Sequence, residues 1–344
     1  MQKSGGTTNI KQLAQALGLS TSTVSRALNG YTDVNEQTRL RVQSMAEAMG
    51  YRPDPGARRL VRGSTDAVGI VYSAAVENLG NPQFLDMADG LGERLERDHL
   101  DLLLAVAKNE TELEIYERLF RGGRVDAVIV PNTRVQDPRI DYLRDKGYPF
   151  VGYGRTAECA DYSWLDFDND MGSRLAVEHL LALGHTRIAY VHAPLALNFA
   201  FQRHRGFMTA LGAAGVACPA DYCIGGVNDR RSGLQAVAKV LALSPRPTAV
   251  LVDNNLGGVG LIRGLIDAGM RVGQDISVVV HGDIPQDTLL TGLDVTTVTQ
   301  PTPQTTGMAL AEMVVQVLRA PREGPYQVLR QPALQLGSST GPVA

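Results

Sequence analysis

The sequence predicts an all-α head of about sixty residues followed by an α/β body built from two parallel-sheet subdomains. Three observations predict it. Short runs of helical period, separated by a glycine turn, fill the first fifty residues. From residue 66 onward, apolar runs of strand length alternate with amphipathic stretches. The charge is also divided: residues 1–64 hold nine Lys/Arg against four acids, a balance of +5, so the −3 of the whole chain leaves −8 on the other 280 residues. A basic head on an acidic body predicts a polyanionic partner for the head alone.

In the head, Ile10, Leu13, Ala14 and Leu17 recur at i, i+3, i+4 and i+7, one face of a helix. Gly18 permits a left-handed stop, and Ser20 can cap the next helix by accepting from a backbone N–H two or three residues on. That second helix buries Val24, Ala27 and Leu28 and ends at Asn29–Gly30. A third opens at Asn35, with Glu36 at the positive end of its dipole, and runs through Val42, Met45, Ala46 and Met49. Two short helices across a tight turn, braced by a third, form a helix-turn-helix pattern. The second helix leaves Thr21, Ser22, Ser25, Arg26 and Asn29 outside. Short hydroxyls bond phosphates or base edges without ordering long side chains, and one arginine can donate to guanine O6 and N7 together.

Residues 51–63 read "YRPDPGARRLVRG". Asp54 suits an N-cap and Pro55 the first helical position; Ala57, Leu60 and Val61 then line one side of two turns, with Arg58, Arg59 and Arg62 around the others. So short a helix is marginal in water, and Gly56 weakens it further. Two readings stand: a basic linker, or a segment that folds only against DNA with its leucine wedged into the minor groove.

The body carries strand-like runs at 66–73, 100–107, 125–131 and 148–154, then at 187–194, 247–253 and 275–282. Helical patterns cover Pro82–Arg97, Met171–Ala182, Asn198–Ala214 and Asn255–Ala268. A last strand, "TTVTQP", and a helix over Gln304–Arg319 are expected to cross back to the first set. Alternation of this kind implies parallel sheets covered on both faces, and two sets imply a cleft between two subdomains. Ligands in such folds lie at the carboxyl ends of strands. The polar and aromatic residues there are Asn81, Phe84, Arg155, Arg203, Asn228, Asp253, Asn254, His281 and Asp283, with Asn255 expected to cap its helix. Arginine, amide, carboxylate and a ring together suit a small polyhydroxylated ligand.

Several classes are excluded. No run approaches 18 apolar residues, so no membrane partner is expected, and "MQKSGGTTNIKQ" has no apolar signal-peptide core. Cys159, Cys218 and Cys223 show no CxxC, so the setting predicted is reduced and cytoplasmic, without a disulfide framework. There is no GxSxG, Walker loop or HExxH, and the six histidines lack metal spacing, so no enzyme, cofactor or metal is predicted.

"TTNIKQLAQALGLSTSTVSRALNG" followed by "GYRPDPGARRLVRG" resembles the DNA-binding headpiece and hinge of the lac repressor (LacI/GalR) family, and the similarity extends through the body. The resemblance implies a helix-turn-helix headpiece over 1–52, a hinge helix over 53–65 and a periplasmic-binding-protein-like core over 66–344. Within that core it sets an N-subdomain of 66–162 plus 293–322 and a C-subdomain of 163–292 plus 323–340. It implies that Thr21, Ser22 and Arg26 enter the major groove, that Ser20, Thr23, Ser25 and Asn29 support them through phosphates, and that Tyr51 belongs to the DNA-binding set. Ala57 and Leu60 would enter the minor groove at the centre of a palindromic operator. "QRHRGF" matches the segment whose arginine, Arg203, grips ligand hydroxyls or carboxylates, and "VDNNLGGVG" puts Asn254 in the pocket. Two departures, Gly154 before Arg155 and Gly282 before Asp283, stand where acids are common and argue against a simple galactoside. The function implied is a repressor that binds double-stranded DNA as a homodimer under a sugar, sugar-acid or sugar-phosphate effector. The alternative is a sugar-binding protein without DNA function, against which the basic head argues.

Overall fold

The computed structural model describes residues 9–28, 31, 33–51, 64–73, 82–107, 112–285 and 292–343. The chain divides into two compact units, Met1–Thr65 and Asp66–Ala344. The expected hinge helix, with Ala57 and Leu60, lies outside the described residues, as do Asn29 and Asn81.

The first unit holds α1 (Ile10–Leu17), α2 (Thr21–Leu28) and α3 (Glu36–Ala48). A capping box opens α1: the Gln12 N–H donates to Asn9 Oδ1 (3.0 Å) and the Asn9 N–H to Gln12 Oε1 (2.9 Å). Gly18, at φ 66°, makes the left-handed stop. Asn35 caps α3 by accepting from the Thr38 N–H at 2.8 Å. Leu13, Leu17, Val24, Ala27, Val42 and Ala46 form the core, with Leu28, Met45, Met49 and Tyr51 packed against it. Arg41 donates to the Leu17 carbonyl at 3.0 Å, tying α3 to the end of α1.

The second unit begins with β1 (Ala67–Ser73), α4 (Pro82–Glu96), β2 (Asp101–Ala107), α5 (Glu112–Arg121), β3 (Ala127–Val130), α6 (Pro138–Lys146), β4 (Phe150–Tyr153) and β5 (Ser163–Phe167). There follow α7 (Asn169–Ala182), β6 (Ile188–His192), α8 (Asn198–Ala213), β7 (Cys223–Gly225), α9 (Arg230–Ala242), β8 (Ala249–Val252), α10 (Asn255–Asp267) and β9 (Ser277–His281). It closes with β10 (Thr296–Thr299), α11 (Pro303–Arg319), β11 (Gln327–Arg330) and β12 (Ala333–Gln335). Two six-stranded sheets result, in the orders β11-β5-β4-β3-β1-β2 and β12-β10-β9-β8-β6-β7. The strands run parallel except β12, which is antiparallel to β10.

This topology corrects the expected subdomain boundaries. The run at 163–167 belongs to the first sheet, where β5 pairs with β4 (Val151↔Ser163), and β11 pairs with β5 (Gln327↔Trp164). The strand at 296–299 stays in the second sheet beside β9 (Thr296↔Val279), so of that expected strand–helix pair the helix α11 crosses back and the strand does not. The chain therefore passes between the sheets after Phe167, after Thr299 and after Arg330, not near residues 162, 292 and 322. The first two expected boundaries stood just before the buried runs 163–167 and 296–299, which are compatible with either sheet until the hydrogen-bond partner is known, and the third preceded the largely exposed strand β11.

The helix α11 packs on α4 at backbone distance. A Cβ added to Gly90 would overlap the Gln304 carbonyl, whereas one added to Gly92, two residues on, would meet nothing within 4 Å. Gly90→Ala should therefore destabilise the body by about 1–3 kcal/mol through overpacking. Gly92→Ala should be neutral or stabilise by up to about 1 kcal/mol through helix propensity. Urea unfolding of the two variants checks the contrast; equal effects would remove the close-packing argument.

Candidate functional site

In the first unit the helix α2 presents one polar face. Ser20 caps it, its Oγ accepting from the Thr23 N–H at 3.0 Å and lying 2.7 Å from Ser22 Oγ and 2.8 Å from Thr23 Oγ1. Thr21, Ser22 and Arg26 are exposed and Thr23 and Ser25 half-buried, while Val24 and Ala27 face the core. At about 100° per residue, Thr21, Ser25, Ser22 and Arg26 span an arc of roughly 140° away from the core. The Arg26 guanidinium is ion-paired with Asp33 and lies 5.5 Å from the Tyr31 ring centre. Tyr51 packs on the core of this unit.

In the second unit a cleft opens where strands of both sheets end. Two adjoining chambers of about 230 and 190 Å³ share Gln83, Asn132, Tyr153, Phe199, Asn254 and Asn255 as walls. The first sheet contributes Tyr72 from β1, Asn132 after β3, Tyr153 from β4 and Asp166 from β5. The second contributes Asn228 after β7, Asn254 after β8, His281 from β9 and Gln300 after β10. This is the carboxyl-end position at which parallel α/β sheets bind ligands. The Phe84 ring, from α4, packs edge-on against Tyr72 at 4.5 Å and 74°.

Arg203, from α8, is the cation of the cleft. Its Nε donates to Asn169 Oδ1 at 2.8 Å and its Nη1 to the Asp253 carbonyl, and the guanidinium lies 4.9 Å from the Phe199 ring centre. Both Asp253 carboxylate oxygens accept from the Ala193 N–H at 3.0 Å, and Oδ1 also accepts from Asn254 Nδ2 at 2.9 Å. Burial raises the Asp253 carboxyl above its ordinary range, against the pull of Arg203. Burial likewise pushes Asp166 up to about 6, although Arg155 Nε lies 3.2 Å from its Oδ2 and the Phe167 N–H donates to its Oδ1. His281, whose Nε2 lies 2.9 Å from Ser173 Oγ, is held neutral by burial well below the usual imidazole range.

The wall at Pro131–Asn132 is fixed from beneath. Asn132 adopts a left-handed φ of 47°, a conformation asparagine tolerates better than most residues. Its carbonyl accepts from Arg139 Nη2 at 3.0 Å. Arg139 is buried and paired with Asp137 (2.7 Å) and Glu112 (3.3 Å), and Glu112 also accepts from Arg134 (2.8 Å). Burial opposes the charge on Asp137, but the hydrogen bond and attraction of Arg139, together with the backbone N–H groups of Arg134 and Arg139, outweigh it and lower the carboxyl.

Of the expected pocket residues, Phe84, Arg203, Asn228, Asn254 and His281 line the cleft. Arg155 and Asp283 are not among its walls. Arg155 pairs with Asp166 beneath it, and Asp283 offers its carbonyl to Gln83 Nε2 (3.1 Å) and Asn255 Nδ2 (3.2 Å). Asn254, not Asn255, caps α10, accepting from the Gly257 N–H at 2.7 Å. Sequence reasoning missed Tyr72, Gln83, Asn132, Tyr153, Phe199, Asn169, Gln300 and the carboxylate of Asp166. A polar residue at the last positions of a buried strand, such as the aspartate in "SWLDF", was the available signal for Asp166.

A helix-turn-helix unit followed in the chain by a two-sheet body with a cleft at its strand ends defines a class of DNA-binding regulators. Residues 9–54 match the family of bacterial regulatory proteins, lacI family, and residues 65–336 match periplasmic binding proteins and sugar binding domain of LacI family. The chain belongs to the LacI family and is a transcriptional regulator. It is 35% identical to the HTH-type transcriptional regulator RafR of Escherichia coli, over 96% of this chain and 98% of that protein. It is 28% identical to the ribose operon repressor of Escherichia coli strain K12, over 90% and 91%. A solved complex of the transcriptional regulator CelR with cellobiose superposes with a TM-score of 0.72 at 27% identity, covering 96% of this chain and 99% of that one. Among the described residues no helix is long and apolar enough to cross a membrane.

The Asp166 carboxyl gives a pH signature. Its folded value of about 6 lies above the unfolded one of about 4, so the folded state holds a proton that the unfolded state releases. The resulting stability is complete below pH about 4 and lost as pH rises through about 6. Relative to Asp166→Asn, the wild type should thus lose about 3 kcal/mol across that window and stay level above it. Urea unfolding of both proteins from pH 4 to 7 measures this, and His281, common to both, cancels. A difference that does not vary with pH would sink the assignment.

Proposed function

We propose that the chain is a repressor that binds a palindromic double-stranded DNA operator as a homodimer and is controlled by a small saccharide-type effector in the cleft. One observation carries the reading: a single chain holds both an exposed polar face on a second helix and a buried arginine at the carboxyl ends of two sheets. In this reading Thr21, Ser22 and Arg26 meet base edges, while Ser20, Thr23, Ser25, Asn29 and Tyr51 serve the phosphate backbone. Ala57 and Leu60 wedge into the minor groove between half-sites. Arg203, Asn228, Asn254 and the Phe84 ring hold the effector, with Asn81, Arg155 and Asp283 around them. The ribose operon repressor and the CelR–cellobiose complex support a repressor and a saccharide.

One headpiece reads too few base pairs for a specific site, so two are needed. Leu104 and Val106 on the edge strand β2, and Leu85 on α4, are exposed apolar side chains that suit a second copy. The effector acts by binding one arrangement of the two subdomains better than the other; only that difference in affinity can shift the population.

Fluorescence anisotropy on a palindromic duplex tests the DNA arm. Affinity should fall steeply with salt, and Arg26→Ala should cost about 1–3 kcal/mol on the operator and less on scrambled duplex. An equal loss on both would assign Arg26 to phosphate. Salt-independent binding would leave the sugar-binding alternative.

The cleft arm is tested by Arg203→Ala with a panel of sugars, sugar acids and sugar phosphates. Operator binding should persist while release by the active effector is lost. A response retained at full strength would move the effector site elsewhere.

A further inference from the structure

At the end of β7 away from the cleft, two cysteines and a histidine meet. Cys223 opens that strand, and Cys218 precedes it by one 3-10 turn, Ala220–Tyr222. Their sulfurs are 3.8 Å apart, and both residues are partly exposed. His204, on α8, places Nε2 3.9 Å from Cys223 Sγ. Its ring lies 5.8 Å from Tyr190 and 5.9 Å from His192, so aromatic packing holds it in place. The third cysteine, Cys159, is distant in the fold, beside Trp164 in the first sheet's loops, where the Trp164 indole donates to its carbonyl at 2.9 Å.

We propose that Cys223 and Cys218 form an oxidisable dithiol, in which Cys223, paired with His204, reacts with a hydroperoxide and Cys218 closes a disulfide. Cys223 gives its proton to His204, and the thiolate attacks the outer peroxide oxygen. The O–O bond breaks, the alcohol (water, for hydrogen peroxide) leaves with the proton returned from His204, and Cys223 becomes a sulfenic acid. The Cys218 sulfur then attacks the Cys223 sulfur. An S–S bond forms, the S–O bond breaks, and hydroxide leaves as water with the Cys218 proton. Two thiols lose two electrons, and one hydroperoxide is reduced.

The local chemistry agrees with this division of roles. The hydrogen bond with Cys218, and then the one with His204, lowers the Cys223 thiol, while the same cysteine pairing pushes Cys218 up. Burial raises Cys159 instead. A thiolate reacts and a thiol does not, so Cys223 is set apart from the other two. Closure needs the sulfurs to approach to about 2.05 Å. Of the residues between them, Pro219 to Asp221 are exposed, whereas Tyr222 is buried and its hydroxyl donates to the Pro245 carbonyl, so the adjustment falls on the exposed Cys218 side of the turn. His204 directly follows Arg203 on α8, so the dithiol and the cleft cation share one helix.

The experiment uses the full chain, reduced, desalted and treated with stoichiometric hydrogen peroxide, followed by differential alkylation and peptide mass mapping. A Cys218–Cys223 link, lighter by two hydrogens and reversed by dithiothreitol, should form at least about tenfold faster than Cys159 is oxidised. Cys218→Ser should stop at a Cys223 sulfenic acid that dimedone traps, and His204→Phe should slow the Cys223 reaction about tenfold. Cys159 reacting as fast as Cys223 in the wild-type chain would overturn the proposal. So would oxidation of Cys223 to the sulfinic acid with no link to Cys218. The wild-type map stands whether or not either variant folds.

Discussion

A guanidinium held out of water governs the arrangement of the cleft. Removing an ionised group from water costs several kcal/mol unless fixed partners replace the solvent. Arg203 finds them in the Asn169 side chain and the Asp253 carbonyl, with the Phe199 ring against its face. Asn169 opens the helix that follows β5 of the first sheet, and Asp253 follows β8 of the second. One side chain is therefore bonded to residues that both sheets position. The two carboxyls nearby, Asp166 and Asp253, are both raised by burial, and Asp166 is shared with Arg155. A cleft with a fixed cation, amides and rings favours ligands that present acceptors to the arginine and a flat apolar face to the aromatics.

The covalent path supports the same centre. The chain crosses between sheets at Phe167–Asn169, Thr299–Pro303 and Arg330–Ala333, three short segments. Near them the packing is dense: Gly172 sits against the His281 ring and the Pro332 side chain, and a Cβ on Gly206 would overlap the Asp170 backbone. Helix α8, which carries Arg203, is thereby seated on α7, which carries Asn169. The partner of the guanidinium is set by helix packing as much as by the hydrogen bond itself. Interiors packed at this density have few alternative arrangements, so a change at the cleft passes into discrete movements of whole elements.

What the sequence disclosed and what it withheld divide along physical lines. The periodicity of Ile10–Leu17 and the caps at Ser20 and Asn35 are local properties, and they appear where the pattern put them. Phe84, Arg203, Asn228 and Asn254 were legible because they follow strands in a parallel fold. Sheet membership was not legible. "SWLDF" and "TTVT" are buried runs whose composition is the same in either sheet, and only pairing with β4 or β9 decides. Asp166 was hidden for the same reason, as a carboxylate inside an otherwise apolar strand. Gln83 and Tyr153 enter the cleft through the spatial meeting of segments about seventy residues apart, which spacing does not report.

Asn254 and Arg26 illustrate two ways in which an expected residue stands in the structure. Asn254 donates to the Val227 carbonyl and to Asp253, and accepts from the Gly257 N–H. Its bonds are internal, so it shapes the wall and keeps only its remaining acceptor capacity for a ligand. Arg26 is the opposite case. Its pairing with Asp33 and its contact with Tyr31 are half-exposed, and such contacts are worth on the order of 1 kcal/mol or less each. A bidentate bond to guanine discriminates by about 1–3 kcal/mol. In the proposed reading the exchange therefore favours the base, and Asp33 and Tyr31 reduce the conformational entropy that the arginine loses on binding.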